Sequence, residues 1–296
     1  MKDAGYRIEV VVTERPTTAR RAANAIGANS LAVSAGQLNR LTSRQAERLS
    51  RSSVILIATP DDIIGSVAQR LAGVFESMPA RPGAKISALG RIALHTSGAL
   101  SSEVLDPLRN VGFAAGSIHP LVSISDPLSD AKPFRHSFFC VEGDGPAVRT
   151  ATSMARASGG RTFTIDRDCK GLYHAAAVMA SGNMLALFDI AVEMLERCGL
   201  SRRRSHQVLL PLLQSSVTNL SKRGPADALT GPFARADLAT IEKHLRAIKS
   251  WDLRAAMAAY VLLGRRSLSL AKKRKSRPPG LDRVAQLLSV KPNDSV

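Results

Sequence analysis

The residues of this chain best suited to moving a proton are Lys170 and His174, in the run Lys170-Gly171-Leu172-Tyr173-His174. At about 100° per residue, positions i and i+4 share one helix face, and Ser181 falls near that face. A lysine in a first helical turn beside a cleft loses affinity for its proton and could serve as a general acid or base, with His174 orienting it or binding substrate. The spacing equally fits a solvated lysine and a packed histidine. Upstream, Thr59, His95-Thr96-Ser97-Gly98 and His119-Pro120 each follow a short apolar run. If those runs are strands, these residues line carboxyl ends, where open α/β sheets bind their ligands. The plainer reading is capping by Thr96 and Ser97 and a turn oriented by His119. A third cluster is Leu229-Thr230-Gly231-Pro232-Phe233-Ala234-Arg235-Ala236-Asp237. Its Gly-Pro pair marks a turn and Asp237 an N-cap. Arg235 could clamp a carboxylate or phosphate, or pair with Asp237.

Positioning these groups requires a sheet. β-Branched or apolar runs at 8–12, 53–58, 91–94, 113–118, 137–141 and 161–165 read as strands. Helical spacing covers 17–26, 61–75, 102–110 and 147–157 between them. Such alternation predicts an α/β, parallel, doubly wound sheet. After Asp168, helical periodicity dominates to Lys273, with breaks near Gly199, between Gly224 and Pro232, and near Ser250. A short last helix is expected over 281–288. The apolar stretch 175–195 contains Asn183, Asp189 and Glu193, which predicts a buried amphipathic helix and no membrane span. The domains expected are a nucleotide-binding one at 1–166, a helical one at 167–275 and a basic tail at 276–296.

The chain has 296 residues and a formal net charge of +17, which suggests an anionic partner. Arg265, Arg266, Lys272, Lys273, Arg274, Lys275 and Arg277 form a dense block that reads as a solvated tail or as a tether to an anionic surface. The body shows no aromatic stacking platform, so nucleic acid is not the expected partner. Three scattered cysteines fit a reducing cytosol, and the polar N-terminus does not resemble a secretory leader, so a cytoplasmic protein is expected. The histidines and cysteines lack metal-ligand spacing, and no GxSxG elbow is present.

The opening of the chain departs from a dinucleotide fold, which starts with a strand, a GxGxxG loop and a helix. Here the first strand begins at Ile8 and runs into Thr13-Glu14-Arg15-Pro16, with no glycines. It reads as the second strand of such a fold. Arg15 then stands where an arginine reads the 2′-phosphate of NADP, though an arginine there is also an ordinary surface residue.

His95-Thr96-Ser97-Gly98-Ala99, His119-Pro120-Leu121, Lys170-x-x-Tyr173-His174-Ala175-Ala176 and Leu229-Thr230-Gly231-Pro232-x-x-Arg235-x-Asp237 occur in this order. Together, over residues 8–248, they resemble a bacterial family that pairs a Rossmann-like NAD(P)-binding domain with domain of unknown function 2520. That family is similar to the group of pyrroline-5-carboxylate reductase, 3-hydroxyisobutyrate dehydrogenase and 6-phosphogluconate dehydrogenase. The resemblance implies a Rossmann-like domain lacking its first strand and glycine loop, then an all-helical domain of the 6-phosphogluconate dehydrogenase type. It further implies a homodimer through the helical domain and hydride transfer between the domains to or from a small substrate. NADP would lie along Arg15, Thr59 and His95, Thr96, Ser97 and Gly98. Substrate would meet His119, Ser181 and Arg235, with Lys170 and His174 as the catalytic pair. Ala236 stands where the family pattern has glycine. The missing loop has two accounts: a start placed about 30 residues late, the length of a βαβ unit, or a degenerate member that keeps binding and dimerisation without catalysis.

Overall fold

The computed structural model describes residues 5–27, 30–78, 90–124 and 134–289. The first four residues and residues 290–296 of the expected tail lie outside that set. The chain divides into two compact units at Ala180/Ser181. The boundary follows the helix that carries Lys170, whose side chain is buried within the first unit.

In the first unit, β1 (Val10–Thr13) leads into α1 (Pro16–Ile26). Proline suits the first helical turn, where its missing N–H is not needed, and Gly27 ends the helix at φ 135°. β2 (Leu31–Ser34) then pairs in parallel with β1. Next comes α2 (Ser43–Arg51), opened by a capping box in which Gln45 N donates to Thr42 Oγ1 and Thr42 N donates to Gln45 Oε1. Neither β2 nor α2 stands out in the sequence. The strand is four residues long, and Leu49 is the one residue of the helix that is buried, so no apolar period marks it.

The larger sheet holds β3 (Val54–Ile57), β4 (Arg91–His95), β5 (Phe113–Pro120), β6 (Phe138–Gly143) and β7 (Arg161–Thr164), in that order. Between them lie α3 (Asp61–Ser77), a 3-10 turn (Ser102–Leu105) leading into α4 (Asp106–Asn110), and α5 (Gly145–Ala157). Alternate strand residues enter two different apolar clusters. Ile57, Ala93 and Ala115 pack with α3 residues such as Ile64 and Leu71, whereas Ile92, Leu94, Ile118 and Val141 pack with Ala147, Ala151 and Met154 of α5. Helices therefore cover both faces, as a doubly wound sheet requires.

Two features correct the expected sheet. β6 runs antiparallel to β5, with Gly116 opposite Gly143 and Pro120 opposite Phe139, so the sheet is mixed. Alternation of strand and helix patterns carries no information on strand direction. Among the described residues, moreover, no ladder joins β1 to β3: β1 pairs with β2 and β3 with β4. Val12 on β1 and Leu56 on β3 are 37% and 41% exposed.

α6 (Lys170–Ala180) closes the first unit. The second unit contains α7 (Gly182–Arg197), α8 (Arg202–Lys222), the short α9 (Pro225–Ala228) and α10 (Gly231–Arg235), α11 (Leu238–Ser250), α12 (Arg254–Ala271) and α13 (Leu281–Ser289). Its core joins Ile241, Leu268, Ala271, Leu281, Val284 and Leu288. Part of the basic block helps to anchor α13: Arg265 Nε donates to Leu288 O at 3.0 Å, and Lys272 lies 3.5 Å from Asp282.

The expected burial of 175–195 is not observed. The stretch is split at Ser181, and Val192 is the buried residue of α7. Arg167–Arg197 is long and apolar enough, by length and composition, to cross a membrane. Apolar residues of this stretch, Leu185 and Leu187 among them, are exposed instead.

Candidate active site

The carboxyl ends of β4 and β5, the first turn of α3 and the first turns of α6 bring the chemistry-bearing side chains together. β4 ends on His95, which is fully buried. Its Nδ1 accepts from Ser97 N at 3.2 Å, which leaves the proton on Nε2, facing Ser101 O at 3.1 Å. Burial, then the charge of Lys170, pushes its pKa down to about 4. His95 is thus a neutral brace for the turn that follows. Ser97 completes that turn. Its hydroxyl donates to Asp61 Oδ2 at 2.7 Å and accepts from Ala99 N and Leu100 N at 3.1 and 3.0 Å. Gly98 is required sterically: a Cβ there would overlap His174 Nδ1 and lie 2.9 Å from His119 Nε2.

Lys170, 1% exposed, reaches into this turn. Its ammonium donates to Ser97 O at 3.1 Å and to Ser117 Oγ at 3.2 Å. Ser117 in turn faces Glu142 Oε2 at 3.4 Å. The Glu142 carboxylate also accepts from Ser102 N at 2.9 Å and Ser102 Oγ at 2.8 Å. Burial lowers the Lys170 pKa, opposed by nearby Cys140, Glu142 and Asp61. A buried ammonium is tolerated where hydrogen bonds and a counter-charge replace water, and both are present here.

On the outer side of Lys170, His119 Nδ1 and the Tyr173 hydroxyl lie 2.6 Å apart. Burial and the Lys170 charge lower the His119 pKa to about 4, and burial raises that of Tyr173 well above its usual value. Burial also raises the pKa of the Cys140 thiol. His174 packs edge-on against His119, and its Nδ1 is buried with no hydrogen-bond partner among the described residues.

Of the residues singled out in the sequence, His95, Ser97, Gly98, His119, Lys170 and His174 converge. Thr96 uses its backbone N–H to bind Ile57 O, and Thr59 at the end of β3 carries a buried, unpartnered Oγ1. Arg15 is exposed at the N-cap of α1. Ser181 and Arg235 are exposed residues of the second unit. Sequence reasoning overlooked Ser117, Cys140 and Glu142, and gave Tyr173 no role. The available signal was polar residues inside apolar strands: Ser117 in FAAGSIHP and Glu142 in FFCVEG. Among the described residues no three histidine, cysteine or carboxylate side chains group as a metal site.

Residues 137–267 match the family described as Domain of unknown function (DUF2520). Among solved structures, a Thermotoga maritima protein is similar at 22% identity and TM-score 0.66, over 90% of this chain and 91% of that one. A Bacteroides fragilis protein provisionally named an NADP oxidoreductase is similar at 21% identity and TM-score 0.63, over 90% of each chain. A reductive aminase of Aspergillus terreus, solved with NADPH and ethyl levulinate, follows at 14% identity and TM-score 0.57, over 96% of this chain and 92% of that one. A comparison with curated proteins finds no match. The fold is therefore Rossmann-like, with a helical C-terminal region that overlaps the DUF2520 match.

Proposed function

We propose that this chain is an NADP-dependent oxidoreductase of a small carbonyl or imine compound, with Lys170 as the proton donor. The observation that carries the reading is the placement of Lys170: a buried cation held at the carboxyl rim of a Rossmann-like sheet, against the turn that only Gly98 allows. When bound, NADPH supplies the hydride that adds to the substrate carbon. The chain's own residues supply the rest. Two of the three Lys170 N–H bonds are committed to Ser97 O and Ser117 Oγ, and the ammonium makes no third hydrogen bond among the described residues. A lowered pKa makes that proton easier to give up to the developing alkoxide or amide nitrogen. Ser97, Ser117 and Glu142 fix the ammonium in place.

The described residues fit part of the cofactor. Arg15 is an exposed cation just past β1, suited to a 2′-phosphate, and Thr59 Oγ1 is a polar atom lacking a partner at the end of β3. They contain no glycine-rich turn to cradle a pyrophosphate, and the first turn of α3 carries Asp61 and Asp62, of the wrong sign for phosphate. Fluorescence titration of the full chain with NADPH tests the reading. Saturable binding with preference over NADH supports it, and no binding favours a non-catalytic protein.

A homodimer through the helical unit belongs to the same proposal. Leu185, Leu187, Val208, Leu212, Val217 and Leu220 on α7 and α8 are all more than a third exposed, an apolar surface that subunit association would bury. Light scattering of the purified chain reads the mass directly.

A further inference from the structure

We propose that Tyr173 is a positioning residue that holds His119 in the Nε2–H tautomer, so that His119 offers a neutral N–H to the heteroatom of the substrate. The Tyr173 hydroxyl lies 2.6 Å from His119 Nδ1, its one side-chain hydrogen bond among the described residues, and the buried Cys140 thiol is the other group that perturbs it. The phenol has one proton to donate. Given to His119, it pairs a phenol O–H, a stronger hydrogen-bond donor than a thiol, with imidazole nitrogen, a strong acceptor. Given to Cys140, it is spent on sulfur, a weak acceptor. The 2.6 Å separation fits the first arrangement. With Nδ1 accepting, the ring proton resides on Nε2. That nitrogen hydrogen-bonds no described residue and is not among the fully buried, unpartnered polar atoms, so it is open to a ligand.

The neighbours keep the ring from gaining a second proton. The charges of Lys170, His174 and His95 oppose it, with His174 packed edge-to-face on the ring; Asp61 is the acidic group that acts against them. His119 therefore complements Lys170. One donor is charged and gives up a proton; the other is neutral and keeps it while polarising the C=O or C=N bond. A carboxylate-reading site would instead present a cationic imidazole.

The first test is independent of catalysis. In nitrogen-15 histidine-labelled full-length chain near neutral pH, His119, assigned by comparison with H119Q, is expected to show a protonated Nε2 and an unprotonated Nδ1. In Y173F the two tautomers are expected to mix. A wild-type ring protonated on Nδ1, or shifts unchanged in Y173F, overturns the proposal even if NADPH is bound and oxidised. The second test rests on the reductase reading. A glutamine amide can place an N–H near the position of histidine Nε2 without needing Tyr173. Y173F is expected to lower kcat roughly tenfold, the scale of one neutral hydrogen bond, with KM for NADPH unchanged, and to do little in an H119Q background. An equal loss in both backgrounds overturns the positioning role. Should NADPH binding fail while the tautomer is as expected, the reductase reading falls and the lock stands.

Discussion

In the sheet unit, the groups taken out of water include charged and polar ones: Lys170, Glu142, His95, Ser97, Ser102 and Ser117. In the helical unit, the groups left in water include apolar ones, with Leu212 64% and Leu262 68% exposed. Burying a lysine and a glutamate rarely improves stability over an apolar pair of the same size. Such a pair points to a requirement other than folding, which the proposed function supplies: a fixed cation at the carboxyl rim of the sheet. Under the proposed homodimer, the exposed leucines are surface that a second subunit would cover. The polar network around Lys170 is thus satisfied internally, although Thr59 Oγ1 and His174 Nδ1 lack hydrogen-bond partners among the described residues, whereas the helical unit, like Leu172 and Met179 of α6, leaves apolar surface in water.

The comparison breaks most readily at Lys170. K170M removes one partner of a buried charge network and leaves Glu142 uncompensated, so urea denaturation is expected to show a loss of about 3–5 kcal/mol. K170M/E142Q is expected to recover most of it. If K170M alone is neutral, the network does not hold the cation as described. Any NADPH-linked turnover is expected to fall by about 10²–10⁴ in K170M.

A smaller effect comes from His95. Its pKa is lowered from 6.5 to about 4, so between these values the unfolded chain takes up a proton that the folded one refuses. Stability from this group is complete above 6.5 and is lost as pH falls toward 4, by about 3 kcal/mol at most. His119 adds to the same slope. In H95N the acid-side slope is expected to shrink, because asparagine cannot take up that proton. G98A ranks next. The added methyl overlaps His174 and presses on His119, at a cost of about 1–3 kcal/mol if the rings are held firmly. A fully stable G98A would show that the two rings can move apart.

Much of this architecture was legible in the sequence, for reasons particular residues explain. Long apolar runs such as SVILIA and RIAL have to be buried, and Pro16, Gly27 and Gly199 punctuate helices through φ alone. The convergence of His95, Ser97, Gly98 and His119 was legible because all four follow apolar runs and so fall at neighbouring strand ends. The antiparallel β6 was not legible, since a strand reads alike in either direction. Nor was the Ser117–Glu142 support of Lys170, which depends on β5 and β6 being neighbours. Helix α2 escaped because its one buried residue, Leu49, leaves no period. Exposure of α7 could not be read either: an apolar face looks the same whether its own core or a second subunit covers it.

That ambiguity sets the last and smallest effect on the isolated fold. L212E places a charge on a side chain that is already 64% exposed. Surface substitutions away from structural features usually change stability by no more than about 0.5 kcal/mol. Sheet-unit stability and the His95-linked acid slope are therefore expected to stay as in wild type. If a second copy covers α8, the buried glutamate opposes association, and light scattering is expected to report a monomer where wild type gives a dimer. Unchanged mass would mean that the apolar face of α8 lies outside the subunit contact. A broad loss of stability in the monomeric variant would mean that the helical unit is completed by its partner.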